Sequence, residues 1–352
     1  MNKKTTTWVW CSAVPLWWLI YLARKNPETV EVYYSRLFYP MVIQLHQSIM
    51  DHIPFSLGDM LYIGLILLLL RTLLKKISFW KVQPIHLLID LGSFVIITLW
   101  IFHLSWGFNY QRLALNDQLK ISIKYSKQDI ENCIDQIIEK SNHWHNKIVL
   151  SDTLAVRFPF TKNEVADQVE LYHPLGQQTI KKISKVKNSL LSLPLSYMGY
   201  AGYLNPFTLE SQVNDKMPIM SLITTSLHEM SHQWGYASEK EANFIAYLSA
   251  IHSDNPHIKY AGYTFAFRYF FSELHNLDPD RAMEKLKRLN SGILKNFREV
   301  NDFWKQYDNP FEILLDKTYD GYLKANGQKS GIKSYNEMVG LVINYHKNEK
   351  PF

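Results

Sequence analysis

The sequence predicts a mainly α, α+β protein: three amino-terminal transmembrane helices followed by a mostly helical globular domain with a small β element. Three observations carry this. Apolar runs near 8–23, 55–70 and 85–104 each approach the length that crosses a bilayer. Helical periodicity dominates from residue 126 onward. The main candidate for β structure is residues 197–214, YMGYAGYLNPFTLESQVN, with strand-like alternation in TLESQVN. The expected division is therefore a membrane domain over 1–105 and an extracytoplasmic domain over 106–352.

The first run, Trp8 to Ala23, follows a short basic MNKK. A cleaved signal peptide is the competing reading. The apolar run ends in Tyr21-Leu-Ala-Arg24-Lys25-Asn26, without a small-residue cleavage site, so an uncleaved span is preferred. Residues 29–53 read as an amphipathic helix along a membrane surface or against the outer domain. Phe55–Leu70 is the second expected span and Ile85–Leu104 the third, with Asp90 expected to reach the interface. The loop between these spans carries Arg71, Lys75, Lys76 and Lys81. Lys and Arg in short loops mark the cytoplasmic side, which would place everything after Leu104 outside the cytoplasmic membrane.

Composition excludes some classes of function. The net charge is +6 with no dense basic stripe, so no nucleic-acid partner is expected. Cys11 and Cys133 are the two cysteines, and one lies in an apolar run, which argues against a disulfide between them. Aromatic content of 14 %, with ten tryptophans, suits a chain whose side chains sit at membrane interfaces.

In the outer part, Ser126–Asn142 has isoleucines on one helical face, with His143 and His145 read as a loop beyond it. Thr161 and Glu164 form a capping box for a helix through about Tyr172. Helices are also expected over 260–274, 280–290 and 292–307.

The chemistry concentrates in SLITTSLHEMSHQWGYASEKEANFIAYLS, residues 221–249. His228, Glu229 and His232 form HExxH. On a helix, histidines four apart share a face and their ring nitrogens can bind a single Zn²⁺, while Glu229 would be the general base for a water activated by the metal. A catalytic zinc takes a third protein ligand. Glu239 and Glu241 both follow within one short turn, after a break at Gly235 and a cap at Ser238. From spacing alone both stay open.

Glu239-Lys-Glu-Ala242-Asn243 resembles the second motif of gluzincin metallopeptidases. That resemblance implies Glu239 as third zinc ligand, with Asn243 standing where the family has an Asp that orients a ligand histidine. An amide accepts the same hydrogen bond but brings no charge. More widely, WGFNYQR (106–112), NPFTLE (205–210), HEMSHQWGYASEKEANF and YDGYLKANGQKSGIKSY (319–335) resemble the domain-of-unknown-function family numbered 3810, whose members are predicted membrane-bound zinc metallopeptidases. The resemblance implies a zincin-like outer domain facing the periplasm or exterior of a bacterial inner membrane, Zn²⁺ as cofactor, and a peptide or protein substrate. A strand just upstream of the HExxH helix would then border the cleft, and one of Tyr319, Tyr322 and Tyr335 could serve an oxyanion. The alternative is a non-catalytic, membrane-tethered envelope scaffold with a structural or vestigial zinc site.

Overall fold

The computed structural model describes residues 3–77, 84–176, 180 and 183–348. These fall into two compact units, Met1–Leu113 with Asn205–Glu210, and Ala114–Leu204 with Ser211–Phe352.

In the first unit, α1 (Lys3–Lys25) leads through α2 (Pro27–Thr29) and a π-helical turn, Val30–Phe38, into α3 (Tyr39–Met50). Two longer helices follow, α4 (Leu57–Ile77) and α5 (Pro84–Ser105). Among the described residues, Lys4–Lys25 and Leu88–Ser105 are long and apolar enough to cross a membrane. The stretch expected as the second span is helical, as α4, but is not among them; the side chains of residues 72–73 and 75–77 lie outside the described residues, as does Lys81 in the expected basic loop. Trp8, Trp17, Leu67, Leu68, Leu88 and Leu91 are all exposed. Apolar surface spread over three helices is what a lipid phase would cover and water would not.

Small side chains let α1 and α5 approach. The Trp10 indole donates to Ser93 Oγ at 3.0 Å, and Trp100 donates to Ser12 Oγ at 3.1 Å. A Cβ on Gly92 would fall 2.4 Å from the Trp10 ring. Close backbone approach at Gly and Ser, with polar side chains hydrogen-bonded across, is how helices associate without water to drive them.

The unit ends at Leu113, not at residue 105, and its polar interior gives the reason. Beyond α5 the chain forms a short 3₁₀ turn, Gly107–Gln111. Asn109 Oδ1 there accepts from Ser35 Oγ at 2.9 Å. Arg112 grips buried Glu31 through both guanidinium edges, at 2.9 Å each, with Arg36 adding a third bond. WGFNYQR thus belongs with the helices that precede it. NPFTLE does so as well: Glu210 accepts from the backbone N–H of Gly58 at 2.7 Å, capping the start of α4, and Ser105 Oγ donates to the Pro206 carbonyl. A carboxylate at a helix N-terminus meets unpaired N–H groups and the positive end of the helix dipole.

The second unit opens with α6 (Leu115–Leu119) and α7 (Lys127–Ile148), the latter started by a Ser126/Asp129 capping box. His143 and His145 lie inside α7, correcting their reading as a loop; His145 is fully buried and bonded to the Leu154 carbonyl at 2.9 Å. The Thr161/Glu164 box is present, but its helix, a 3₁₀ turn continuing as α8 (Val165–Gln168), stops four residues before Tyr172. Val169 turns extended there, and both it and Leu171 are buried.

A three-stranded sheet has the order β1 (Lys187–Asn188), β3 (Ser211–Val213), β2 (Gly202–Leu204). β1 runs parallel to β3, and β2 antiparallel to it, with Gly202 opposite Val213. The short α9 (Ser192–Tyr197) lies between β1 and β2 in sequence. β3 is buried at every position, so the alternation in TLESQVN does not mark a solvent face.

The core is helical. α10 (Ile219–Gln233) and α11 (Glu239–His252) are followed by α12 (Pro256–Leu277), α13 (Pro279–Leu286) and α14 (Ser291–Lys305). The chain closes with α15 (Glu312–Ala325) and α16 (Met338–Asn348). α11 is the axis: Phe244 through Leu248 are wholly buried, so it is covered all round rather than on the single face its periodicity suggests. Its polar residues have partners, as when the Leu115 N–H donates to Glu241 Oε1 at 2.7 Å.

Candidate metal centre

α10 and α11 meet end to start at a tight bend, and the bend builds the site. Gly235 has φ +78°, a conformation that favours glycine, and it lets α11 begin four residues later, at Glu239. The carboxylate of Glu239 thereby returns over the last turn of α10, where His228 and His232 project from one face.

The three side chains converge. His228 Nε2 and His232 Nε2 lie 3.1 Å apart, Glu239 Oε2 is 3.1 Å from the first and 3.6 Å from the second, and all three residues are buried. Donors bonded tetrahedrally to one zinc at about 2.0–2.1 Å stand roughly 3.3–3.5 Å apart. The donor set therefore fits that ion in both spacing and chemistry. Glu241 does not join it, being held by the Leu115 N–H.

The ring orientations follow from what stands behind them. Asn243 Nδ2 lies 3.3 Å from the Tyr335 carbonyl, which can only accept, so Oδ1 is the atom facing His228 Nδ1 at 2.8 Å. His232 Nδ1 donates to the Tyr236 carbonyl at 2.7 Å. Both imidazoles thus carry a proton on Nδ1, and both Nε2 atoms face the shared space. Glu239 is held too: the Tyr319 hydroxyl donates to its Oε1 at 2.9 Å.

Glu229 is buried beside this cluster, and its Oε2 has no hydrogen-bond partner among the described residues. Burial pushes its carboxyl up to about 7, with the two histidines pulling the other way and Glu239 adding to the rise. Burial works to lower the His232 imidazole, but the Glu239 carboxylate against it prevails and holds it at about 9. The same histidines hold the Glu239 carboxyl well below the carboxylate range although burial opposes them.

Some site residues have no motif to announce them. Gly202 on β2 lies so close that a Cβ there would stand 2.9 Å from Glu229 Oε1 and 2.7 Å from the Gln212 carbonyl. An isolated glycine in a strand is the available signal for such an approach. Gly202→Ala should displace the Glu229 carboxylate while leaving the metal donors in place. For the hydrolytic function proposed below, the expected result is a loss of turnover of about ten-fold or more with metal content unchanged, read from turnover and elemental analysis side by side, in keeping with the roughly 10²-fold cost of a 1 Å misplacement. Of the three tyrosines raised from the sequence, Tyr319 and Tyr335 reach the cluster; Tyr335 stacks parallel to His228, with ring centroids 6.0 Å apart. Tyr322 lies against Tyr319 and is part-exposed. Tyr269, whose hydroxyl accepts from the Asn243 amide at 3.1 Å, had no sequence signal at all.

Two histidines and a carboxylate, buried at the junction of two helices with a second buried carboxylate beside them, form a candidate metal centre. Residues 34–343 match the family described as Protein of unknown function (DUF3810), and the chain belongs to that family. Neither the curated proteins nor the solved structures contain a match to it.

Proposed function

We propose that the protein is a membrane-anchored zinc metallopeptidase. The observation that carries this is the spacing of three buried donors, 3.1, 3.1 and 3.6 Å, beside a carboxylate with an unpaired oxygen. His228, His232 and Glu239 would hold the ion, which when bound supplies Lewis acidity and a water of near-neutral pKa. Glu229, poised near neutrality by burial, takes the proton from the attacking water and passes it to the departing amine. Asn243 and the Tyr236 carbonyl keep the imidazole lone pairs aimed inward. β2 is one of the two edge strands of the described sheet. An extended peptide added along it would run past Gly202 and bring its carbonyl to Glu229.

A non-catalytic scaffold has no use for a buried carboxylate oxygen without a partner, which costs stability for nothing. In the membrane part, α1, α4 and α5 are read as three spans of a bacterial inner membrane, with the residues after α5 outside the cytoplasm; their exposed apolar side chains, and Arg71, Lys75 and Lys76 in the last turns of α4 with Lys81 beyond it, support this.

The test is elemental analysis of the full chain purified in detergent. Near-stoichiometric zinc in the wild type is expected, lost in His232→Ala and Glu239→Ala and kept in Glu241→Ala. A well-folded wild type that takes up no zinc removes the proposal.

A further inference from the structure

The segment YDGYLKANGQKSGIKSY, residues 319–335, is used by no step of the reaction proposed above, yet it closes around the candidate metal centre. We infer that it is a clamp that fixes Glu239 as a one-oxygen ligand and so sets the affinity and coordination of the metal; this rests on the reading of the site as a metal centre.

The Tyr319 hydroxyl donates to Glu239 Oε1, while Oε2 faces the two Nε2 atoms. The carboxylate's two oxygens are therefore divided between separate tasks. A free carboxylate can turn and offer an ion both oxygens; one whose second oxygen is held by a phenol cannot. The Tyr319 proton is already committed, so the 3.2 Å contact with Tyr335 is donated by the Tyr335 hydroxyl, giving an ordered chain from Tyr335 to Tyr319 to Glu239.

The rest of the segment holds that chain in place. Gln328 straddles the start of α11, its Oε1 accepting from the Glu239 N–H at 3.2 Å and its amide donating to the Ala237 carbonyl at 3.4 Å. Ser334 Oγ donates to the same Gln328 oxygen at 3.0 Å. The segment's own turn is closed by Asp320, which accepts from the Ile332 N–H at 3.0 Å. Gly331 has φ +57°, and a Cβ there would lie 1.8 Å from Asp320 Oδ1. The Tyr335 carbonyl holds the Asn243 amide that orients His228. The segment thus supports two of the three donors from behind, which is where partners typically change metal affinity 10- to 100-fold.

The experiment uses the full chain in detergent as wild type, Tyr319→Phe and Tyr335→Phe. It measures zinc affinity by competition with a chromophoric chelator, the visible spectrum with Co²⁺ in place of zinc, and thermal unfolding of the metal-free protein. Tyr319→Phe should bind zinc about 10- to 100-fold more weakly, with an altered Co²⁺ spectrum and an unchanged metal-free unfolding temperature. Tyr335→Phe should shift both metal readouts in the same direction by less. Unchanged affinity and spectrum in Tyr319→Phe overturn the clamp while leaving the metal centre standing, as does a loss confined to metal-free stability. A wild type that binds neither Zn²⁺ nor Co²⁺ overturns the centre itself and the clamp with it.

Discussion

Glu229→Gln is expected to abolish peptide hydrolysis while zinc stays bound. The amide keeps the shape of the carboxylate but cannot take a proton, and proton transfer by a positioned side chain contributes typically 10²–10⁴-fold to rate. The lower end would apply if other groups could relay the proton, but Glu229 has no described hydrogen-bond partner on Oε2 through which one could act. The structural cost should be slight or favourable, since burial already pushes this carboxyl up to about 7 and a neutral amide avoids burying a charge. Turnover of a peptide mixture, followed by mass spectrometry beside elemental zinc, checks this. Equal turnover by Glu229→Gln would move the general base elsewhere.

The grouping of His228, His232 and Glu239 was legible because it is local. Helical spacing puts the histidines on one face, and a glycine break brings the next helix back within seven residues. Of what surrounds the cluster, Asn243 and the segment with Tyr319 and Tyr335 were raised only through resemblance, and which atoms they meet was not legible, because the tyrosines come from far along the chain. Tyr319 and Tyr335 reach Glu239 and His228 from 80 or more positions away, and no periodicity encodes such contacts. Gly202 lies within the stretch 197–214 expected to hold the β element, but a strand of three residues shows no pattern that singles out the glycine. Burial on all sides misled the reading of α11 and β3, whose polar residues are paired internally instead of facing water. The unit boundary moved from 105 to 113 for a similar reason. Arg112 and Asn109 read as the start of a polar domain, but their partners, Glu31 and Ser35, lie upstream.

That partnership carries the largest expected effect on stability. Glu31 is 3 % exposed, and Arg112 covers both its oxygens, whereas Arg36 is half out in solvent. Arg112→Ala leaves a buried carboxylate with one weak partner, and removing one member of a buried pair costs on the order of 3 kcal/mol or more. The pH dependence has a definite sign. Burial pushes the Glu31 carboxyl up, but the Arg112 hydrogen bonds and charge, with those of Arg36, more than offset it and hold the folded value below the ordinary one. A carboxyl depressed in the folded state stabilises fully above its unfolded pKa, and the contribution is lost as pH falls through the folded value. Without Arg112 the burial effect is no longer offset, so the folded value rises; the loss is then largest at neutral pH, where Glu31 is charged, and the deficit against the wild type should shrink as pH falls and Glu31 takes up a proton. Thermal unfolding of the detergent-solubilised full chain between neutral and acid pH reads both effects, and Glu31→Gln in the same background should recover part of the loss because it removes the stranded charge. An Arg112→Ala protein with wild-type stability at neutral pH and the wild-type dependence on pH would show that the pair holds nothing together.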